Sequence, residues 1–358
     1  ARPLARVAAP SVPKKGEIGS RVPLKAFLVA EATRLGFLRA RVAAVHAPVD
    51  MVHYDAFLGA GWHGEMDWMA TSRDARAEVT RLLPGARSVI TLAFDYTRAL
   101  PPDPGGLTGR VASYAWGRDY HNFVTKRVRR LQKSLNRTFP GVDSYAAVDS
   151  RPVYERAWAA RAGLGFTGRN AFQILPGDTC SFFIATLFVV AELEPDVPLG
   201  DHCGTCRRCV DACPTRAILP GGGLVANQCI SYLTIEHESA VPVGLRPKLG
   251  RWVFGCDVCQ DVCPHQSQRR PPPEETLPTN AWLNLPELVV MDDDTLSARF
   301  VGSPIRRAAG ARIRRNAAYA LGNLLDPAAL PSLEAARREP GGVADAAGWA
   351  IDHIRGGE

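Results

Sequence analysis

The 358-residue chain contains no apolar run near the roughly 20 residues that a bilayer-spanning helix needs, which excludes a helical membrane span. Its opening residues, "ARPLARVAAPSVPKKGEIGS", are basic and contain proline, but they have no apolar core of a secretory signal and no twin-arginine pair. The expectation is a flexible basic tail over residues 1–20 on a cytoplasmic protein. Acidic residues are missing from two stretches. "KRVRRLQKSLNR" (Lys126 to Arg137) has six basic residues and no acid, and "IRRAAGARIRRN" (Ile305 to Asn316) has five and none. Each alone reads as a solvated helix face. Two of them in a chain of net charge +7 point to a polyanionic partner, with nucleic acid a fair candidate.

What is present is otherwise ordinary for a soluble globular protein, with 46% apolar and 22% charged residues and enough length for two or three domains. "LKAFLVAEATRLGFL" has helical periodicity and stops near Gly36, whereas "SVITLAFDY" (Ser88 to Tyr96) follows a Pro-Gly turn and reads as a strand. "TCSFFIATLFVVAEL" (Thr179 to Leu193) is apolar enough for a buried strand, although its length also admits a helix. The pattern gives an α+β multidomain chain. A mixed α/β domain spans 21–196, a cysteine-rich domain 197–268, and a Pro-rich linker 269–290. Residues 291–358 are Ala-, Leu- and Arg-rich short helices resembling HEAT repeats.

The nine cysteines are clustered, which in a chain without secretory features points to metal or redox chemistry rather than disulfides. Cys203, Cys206, Cys209 and Cys213 follow C-x2-C-x2-C-x3-C with Pro214 next, the run of bacterial ferredoxins, in which the fourth thiolate serves the other cluster. "CDVCQDVCP" supplies Cys256, Cys259 and Cys263 as a truncated second run, and Cys229 can complete it. This predicts one [4Fe–4S] cluster on Cys203, Cys206, Cys209 and Cys263 and another on Cys213, Cys229, Cys256 and Cys259. Zinc is the rival, but its sites favour separated cysteine pairs. Cys180 is left over as a buried structural thiol. Two adjacent clusters form an electron wire, and the preceding α/β domain is the natural place for it to end.

"VDSRPVYERAWAARAGLGFTGRN" (Val148 to Asn170) resembles the signature of the epoxyqueuosine reductases, cobalamin-dependent iron–sulfur enzymes that complete queuosine in tRNA. "GRDYHNFVTKRVRRL", "CISYLTIEH", "FGCDVCQDVCPHQ" and "RRNAAYALGN" support it, so the resemblance runs from about Leu24 to Ile354. It implies reduction of an epoxide on the queuosine cyclopentane ring to an alkene, with oxygen lost as water. By motif match Asp149 is the proton donor, a carboxylic acid expected to have a raised pKa. Asp149 could alternatively cap a helix that begins after Pro152. Arg156, Tyr120 and His121 match active-site positions; the blander readings are a surface arginine and a structural histidine. Ser231, Asp257, Gln173 and Ile184, with Asp149, are expected at the cobalamin. Near Cys180 the chain departs from the family, reading "TCS" and "IAT" where the relatives usually have Gly-Ser-Trp and Leu-Gly-Glu. The nearest match to the cobalt-ligating D-x-H-x-x-G motif, "DYHNFV", lacks its glycine, so no histidine is expected on cobalt through that motif.

The implied partner is a tRNA anticodon stem-loop. Lys126, Arg127, Arg129 and Arg130 are expected on loop phosphates, and Arg306, Arg307, Arg314 and Arg315 on the stem backbone. A flavodoxin or ferredoxin-like protein would supply low-potential electrons to a monomer. A reductive dehalogenase is the runner-up, because it too pairs cobalamin with two clusters. Such enzymes usually carry a twin-arginine signal and do not need basic helical repeats.

Overall fold

The computed structural model describes residues 23–46, 49–266, 274–339 and 341–356. The basic tail expected over 1–20 and part of the expected linker lie outside them. Nine strands occur in chain order: β1 (Arg39–Ala44), β2 (Ser88–Asp95), β3 (Thr108–Val111), β4 (Ser144–Ala147), β5 (Phe166–Thr167), β6 (Gln173–Ile174), β7 (Phe182–Val189), β8 (Trp252–Phe254) and β9 (Trp282–Asn284). The main sheet has the order β1-β2-β7-β4, antiparallel throughout. Both apolar stretches anticipated as strands are its central members.

Their continuous apolar character has a cause. β2 and β7 are covered on both faces, so nearly every residue of each is buried. One face packs Ile90, Leu92, Phe94 and Leu187 against Leu28, Val124, Val128 and Leu131 from the helices Leu24–Arg34 and Tyr120–Thr138. The other packs Val89 and Phe188 against Tyr54 and Trp158. Helix Tyr120–Thr138 buries Phe123, Val124, Val128, Leu131 and Leu135 at helical spacing. Burial of each such side chain is worth about 1.5–3 kcal/mol relative to exposure. Asp119 caps its first turn by accepting the His121 N–H at 3.0 Å.

The structure revises the expected domain bounds. β3 pairs in parallel with β8 and antiparallel with β9, so residues 108–111, 252–254 and 282–284 share one sheet. Within the supposed linker, Trp282–Asn284 is a strand and Leu285–Val290 a helix whose Leu285 and Leu288 are fully buried. One core joins Trp116, Phe254, Leu285, Ile313 and Leu321, so the terminal helices do not form a separate core. Helices Ala311–Leu324 and Gly342–Ile354 cross closely at Gly322, where a Cβ would lie 2.9 Å from Ala350. No helix among the described residues is long and apolar enough to cross a membrane.

Candidate functional site

Three elements converge on Asp149, which sits on the bend between β4 and the helix Glu155–Arg161. That helix begins six residues later behind Tyr154, which removes the alternative that Asp149 caps it. The capped start of helix Tyr120–Thr138 brings up two neighbours. Tyr120 donates its hydroxyl proton to Asp149 Oδ2, and His121 Nε2 lies 3.1 Å from the same oxygen. The other imidazole nitrogen of His121 is 2.8 Å from Asp119 Oδ1. Tyr120 is clamped between Phe183, stacked at 4.2 Å, and the His121 ring at 4.1 Å. Asp119 and Phe183 were missed as site residues; an aspartate opening a helix two residues before a histidine was the available signal for the first.

The proton is not where a lone acid would hold it. Burial raises the Asp149 carboxyl, but the His121 and Tyr120 hydrogen bonds outweigh it and hold the group below its ordinary value. The carboxyl is ringed by protein yet reached by water, its side chain 60% exposed. Burial lowers His121, but its bonds to Asp119 and Asp149 override that and lift it to about 9. The expected raised pKa at Asp149 is therefore corrected. At neutral pH the carboxylate is ionised, the imidazole protonated, and the mobile proton stands on His121.

Arg156 is exposed, lies over the Phe172 ring at 5.5 Å and donates to the Ala171 carbonyl at 3.1 Å. Its charge helps to lower both Asp149 and Cys229. Ser231 directs its backbone N–H at Cys229. Gln173 is buried and donates to Thr167 at 2.7 Å, leaving its Oε1 without a partner among the described residues. Ile184 is half-buried on β7. The carboxylate of Asp257 is committed elsewhere, accepting the Ser113 N–H at 2.7 Å, and burial pushes it up to about 7.

Cys203, Cys206, Cys209 and Cys263 line one pocket with Asn170 and His202. Cys229, Cys256 and Cys259 are pushed up first by burial, and neighbouring thiols add to it: Cys213 at Cys229, Cys229 and Cys213 at Cys256, and Cys229 and Cys256 at Cys259. No three His, Cys, Asp or Glu side chains among the described residues converge as a single-ion site. Cys180 is buried beside the first group, its Sγ 3.1 Å from Gln266 Oε1.

The two basic stretches behave differently. Lys126, Arg129 and Arg130 are exposed on the helix that begins at Tyr120 and His121. Arg127 turns inward, 2.7 Å from Glu275 and over Phe94. Arg306 is exposed, and Arg307 is exposed but held by Glu236 at 2.6 and 2.8 Å. Arg314 and Arg315 are only 7% and 3% exposed. Arg315 donates to the carbonyls of Leu233, His237 and Ser239, and Arg314 pairs with Glu339. The expectation that these two contact RNA is corrected: their guanidinium groups close the carbonyl ends of a neighbouring helix and loop.

Residues 202–266 match the model of a 4Fe-4S double cluster binding domain, and residues 76–150 match that of Epoxyqueuosine reductase QueG. The chain is 36% identical over 330 residues to an epoxyqueuosine reductase from Xanthomonas campestris pv. campestris, covering 89% of this chain and 93% of the relative. It is 39% identical over 315 residues to one from Pseudomonas aeruginosa, covering 86% and 87%. Among solved structures, an epoxyqueuosine reductase with a tRNA-Tyr epoxyqueuosine-modified stem loop superposes with TM-score 0.84 at 29% identity, covering 92% of this chain and 90% of that one. The Bacillus subtilis enzyme, solved with a catalytic loop swung out of the active site, gives 0.83 at 28% identity, covering 92% and 90%.

Proposed function

The chain belongs to the epoxyqueuosine reductase family, and from that premise we propose how its residues act. It is an oxidoreductase that reduces epoxyqueuosine in tRNA. The modified base lies at the wobble position of an anticodon loop, where an unpaired nucleotide can be splayed out and read. The epoxide takes up two electrons and two protons and leaves as alkene and water.

Two [4Fe–4S] clusters, when bound, would supply the electrons one at a time. Cys203, Cys206, Cys209 and Cys263 would hold the first, and Cys213, Cys229, Cys256 and Cys259 the second. A flavodoxin or ferredoxin-like protein of the cytoplasm is the outside donor, and the enzyme works as a monomer. Cobalamin suits the residues beyond the second cluster. Gln173 presents a buried acceptor without a donor among the described residues, which the amide-rich rim of a corrin can satisfy. When bound, cobalamin supplies a strongly reducing cobalt centre that low-potential clusters can feed one electron at a time. Gln173, Ser231, Ile184, the Asp257 backbone and Asp149 would hold it.

The protein's own contribution is proton supply and placement. The observation that carries this reading is the convergence of Tyr120 and protonated His121 on one oxygen of Asp149. As the C–O bond opens, the developing alkoxide draws a proton from His121 through Asp149. The water-reached side of the carboxylate lets the pair recharge for the second proton. Lys126, Arg129, Arg130 and Arg306 hold RNA phosphates and set the register of the loop without reading sequence.

The test is anaerobic reconstitution with iron, sulfide and cobalamin, followed by turnover of an epoxyqueuosine-containing anticodon stem-loop with a low-potential reductant. Cluster and cobalamin absorption together with queuosine formation are expected. Full turnover without bound cobalamin would overturn the cofactor assignment.

A further inference from the structure

Among the described residues Trp68 is the one exposed tryptophan, with 45% of its surface open to water. It is nevertheless held in place. The ring stands on the short helix Asp67–Thr71, whose Met69 carbonyl accepts the hydroxyl of buried Tyr54 at 2.9 Å. Arg76 lies over the ring, its guanidinium carbon 5.3 Å from the centroid. Arg76 in turn donates to Ser72 Oγ at 2.9 Å and to the Val153 carbonyl at 3.0 Å. Val153 belongs to the bend that carries Asp149, so one chain of contacts runs from the indole to the active-site acid.

Trp68 lines an open cavity of about 630 Å³ whose other walls carry the carboxylates of Glu65, Asp67, Glu236 and Glu238 and the guanidinium groups of Arg307 and Arg312. Its volume lies within the roughly 300–1,000 Å³ typical of ligand sites. The wall opposite Trp68 is also tied to the active site: the Asp119 N–H donates to the Gly302 carbonyl at 2.7 Å, just before the turn Pro304–Ala308 that carries Arg307. Both cations are engaged, Arg307 with Glu236 and Arg312 with the carbonyls of Ile235 and Arg307. Four carboxylates against two engaged cations disfavour a phosphate here. A neutral aromatic base meets no such repulsion and finds an indole face.

A nucleotide can bring its modified base to Asp149 only by leaving the stack of its loop, which strips its neighbours of a stacking partner. Bases exposed in this way are commonly held on aromatic side chains. We propose that Trp68 is a stacking platform for the base of a nucleotide that flanks the modified one. This rests on the tRNA substrate given above. The ring face opposite Arg76 takes the base, while Arg76 keeps the ring and the Asp149 bend in one frame. Every base has a π face, so the platform places the loop without selecting its sequence.

The experiment measures equilibrium binding of an anticodon stem-loop to the full, cluster-loaded chain as wild type, Trp68→Phe and Trp68→Ala. Each is titrated with the intact loop and with loops made abasic at the nucleotide before or after the modified one. Trp68→Ala is expected to weaken the intact loop about tenfold, and Trp68→Phe to recover most of that loss. The salt dependence of binding should stay as in wild type, because no phosphate contact is removed. With one of the two abasic loops the gap between wild type and Trp68→Ala should close, and with the other it should persist. Equal affinity of wild type and Trp68→Ala for the intact loop would overturn the platform. A gap that persists with both abasic loops would overturn it too, since the ring would then act on the protein and not on a base. Should Trp68→Ala fail to load clusters, wild type alone decides: an abasic position that costs it about tenfold is expected, and no cost at either position overturns the proposal. A wild-type chain without stem-loop affinity would overturn the tRNA reading itself and the platform with it.

Discussion

Helix Tyr120–Thr138 and the segment from Ile305 to Asn316 carry similar charge and put it to opposite uses. On the first, Phe123, Val128 and Leu131 face the sheet and Lys126, Arg129 and Arg130 are left in water. On the second, Arg314 and Arg315 point inward and only Arg306 and Arg307 remain exposed. The difference is one of supply. The first helix lays its apolar face on the sheet, whereas the second meets the backbone of residues 233–239, where Arg315 donates to the carbonyls of Leu233, His237 and Ser239. Counting charge predicts a polyanion surface in both places; counting acceptors separates them.

Several substitutions press on this contrast. Arg315→Ala should have the largest effect, because it strands the buried Leu233 carbonyl and the partly buried carbonyls of His237 and Ser239 and empties a buried guanidinium site. A loss of about 3–5 kcal/mol is expected, read by denaturant unfolding. Loss of RNA affinity at unchanged stability would return Arg315 to the interface. Arg127→Ala should be intermediate, near 1 kcal/mol, since it removes a half-buried ion pair to Glu275 and a cation–π interaction over Phe94. Changing Lys126, Arg129 and Arg130 together to alanine should leave stability within about 0.5 kcal/mol. The salt dependence of stem-loop binding should flatten by about one unit of slope for each phosphate no longer neutralised. Equal slopes for this variant and wild type would remove the helix from the RNA footprint. Arg307→Ala should be the smallest, at most a few tenths of a kcal/mol with stem-loop affinity unchanged, because the Arg307 end of its pair with Glu236 is exposed to water.

The same distinction explains what could be read from sequence. Cysteine spacing was legible because cluster ligands must recur at short intervals, and the structure gathers Cys203, Cys206, Cys209 and Cys263 around one pocket. β2 and β7 were legible because burial on both faces leaves an unbroken apolar run. The fate of Arg315 was not, because its acceptors lie about 80 residues upstream in the chain and only the fold brings them back. Nor was the sheet that joins β3, β8 and β9, since each of its strands is only three or four residues long. The charge state of Asp149 also escaped, because it depends on Asp119 fixing His121.

Proton supply also predicts a pH profile. His121 has a raised pKa, so its pairing with Asp119 and Asp149 is fully present below about 6.5 and is lost as pH rises through about 9. Turnover should fall on that alkaline side. His121→Gln should remove the limb near 9 together with most of the activity.

The most direct measurement is single turnover of Asp149→Asn on an epoxyqueuosine anticodon stem-loop, with cluster and cobalamin spectra recorded on the same sample. Asparagine keeps the shape but cannot be charged or pass a proton. The account predicts intact spectra, stem-loop binding within about twofold of wild type, and queuosine formation reduced by at least about a hundredfold. Wild-type turnover in that variant would contradict it and place proton delivery outside the Asp149, His121 and Tyr120 group.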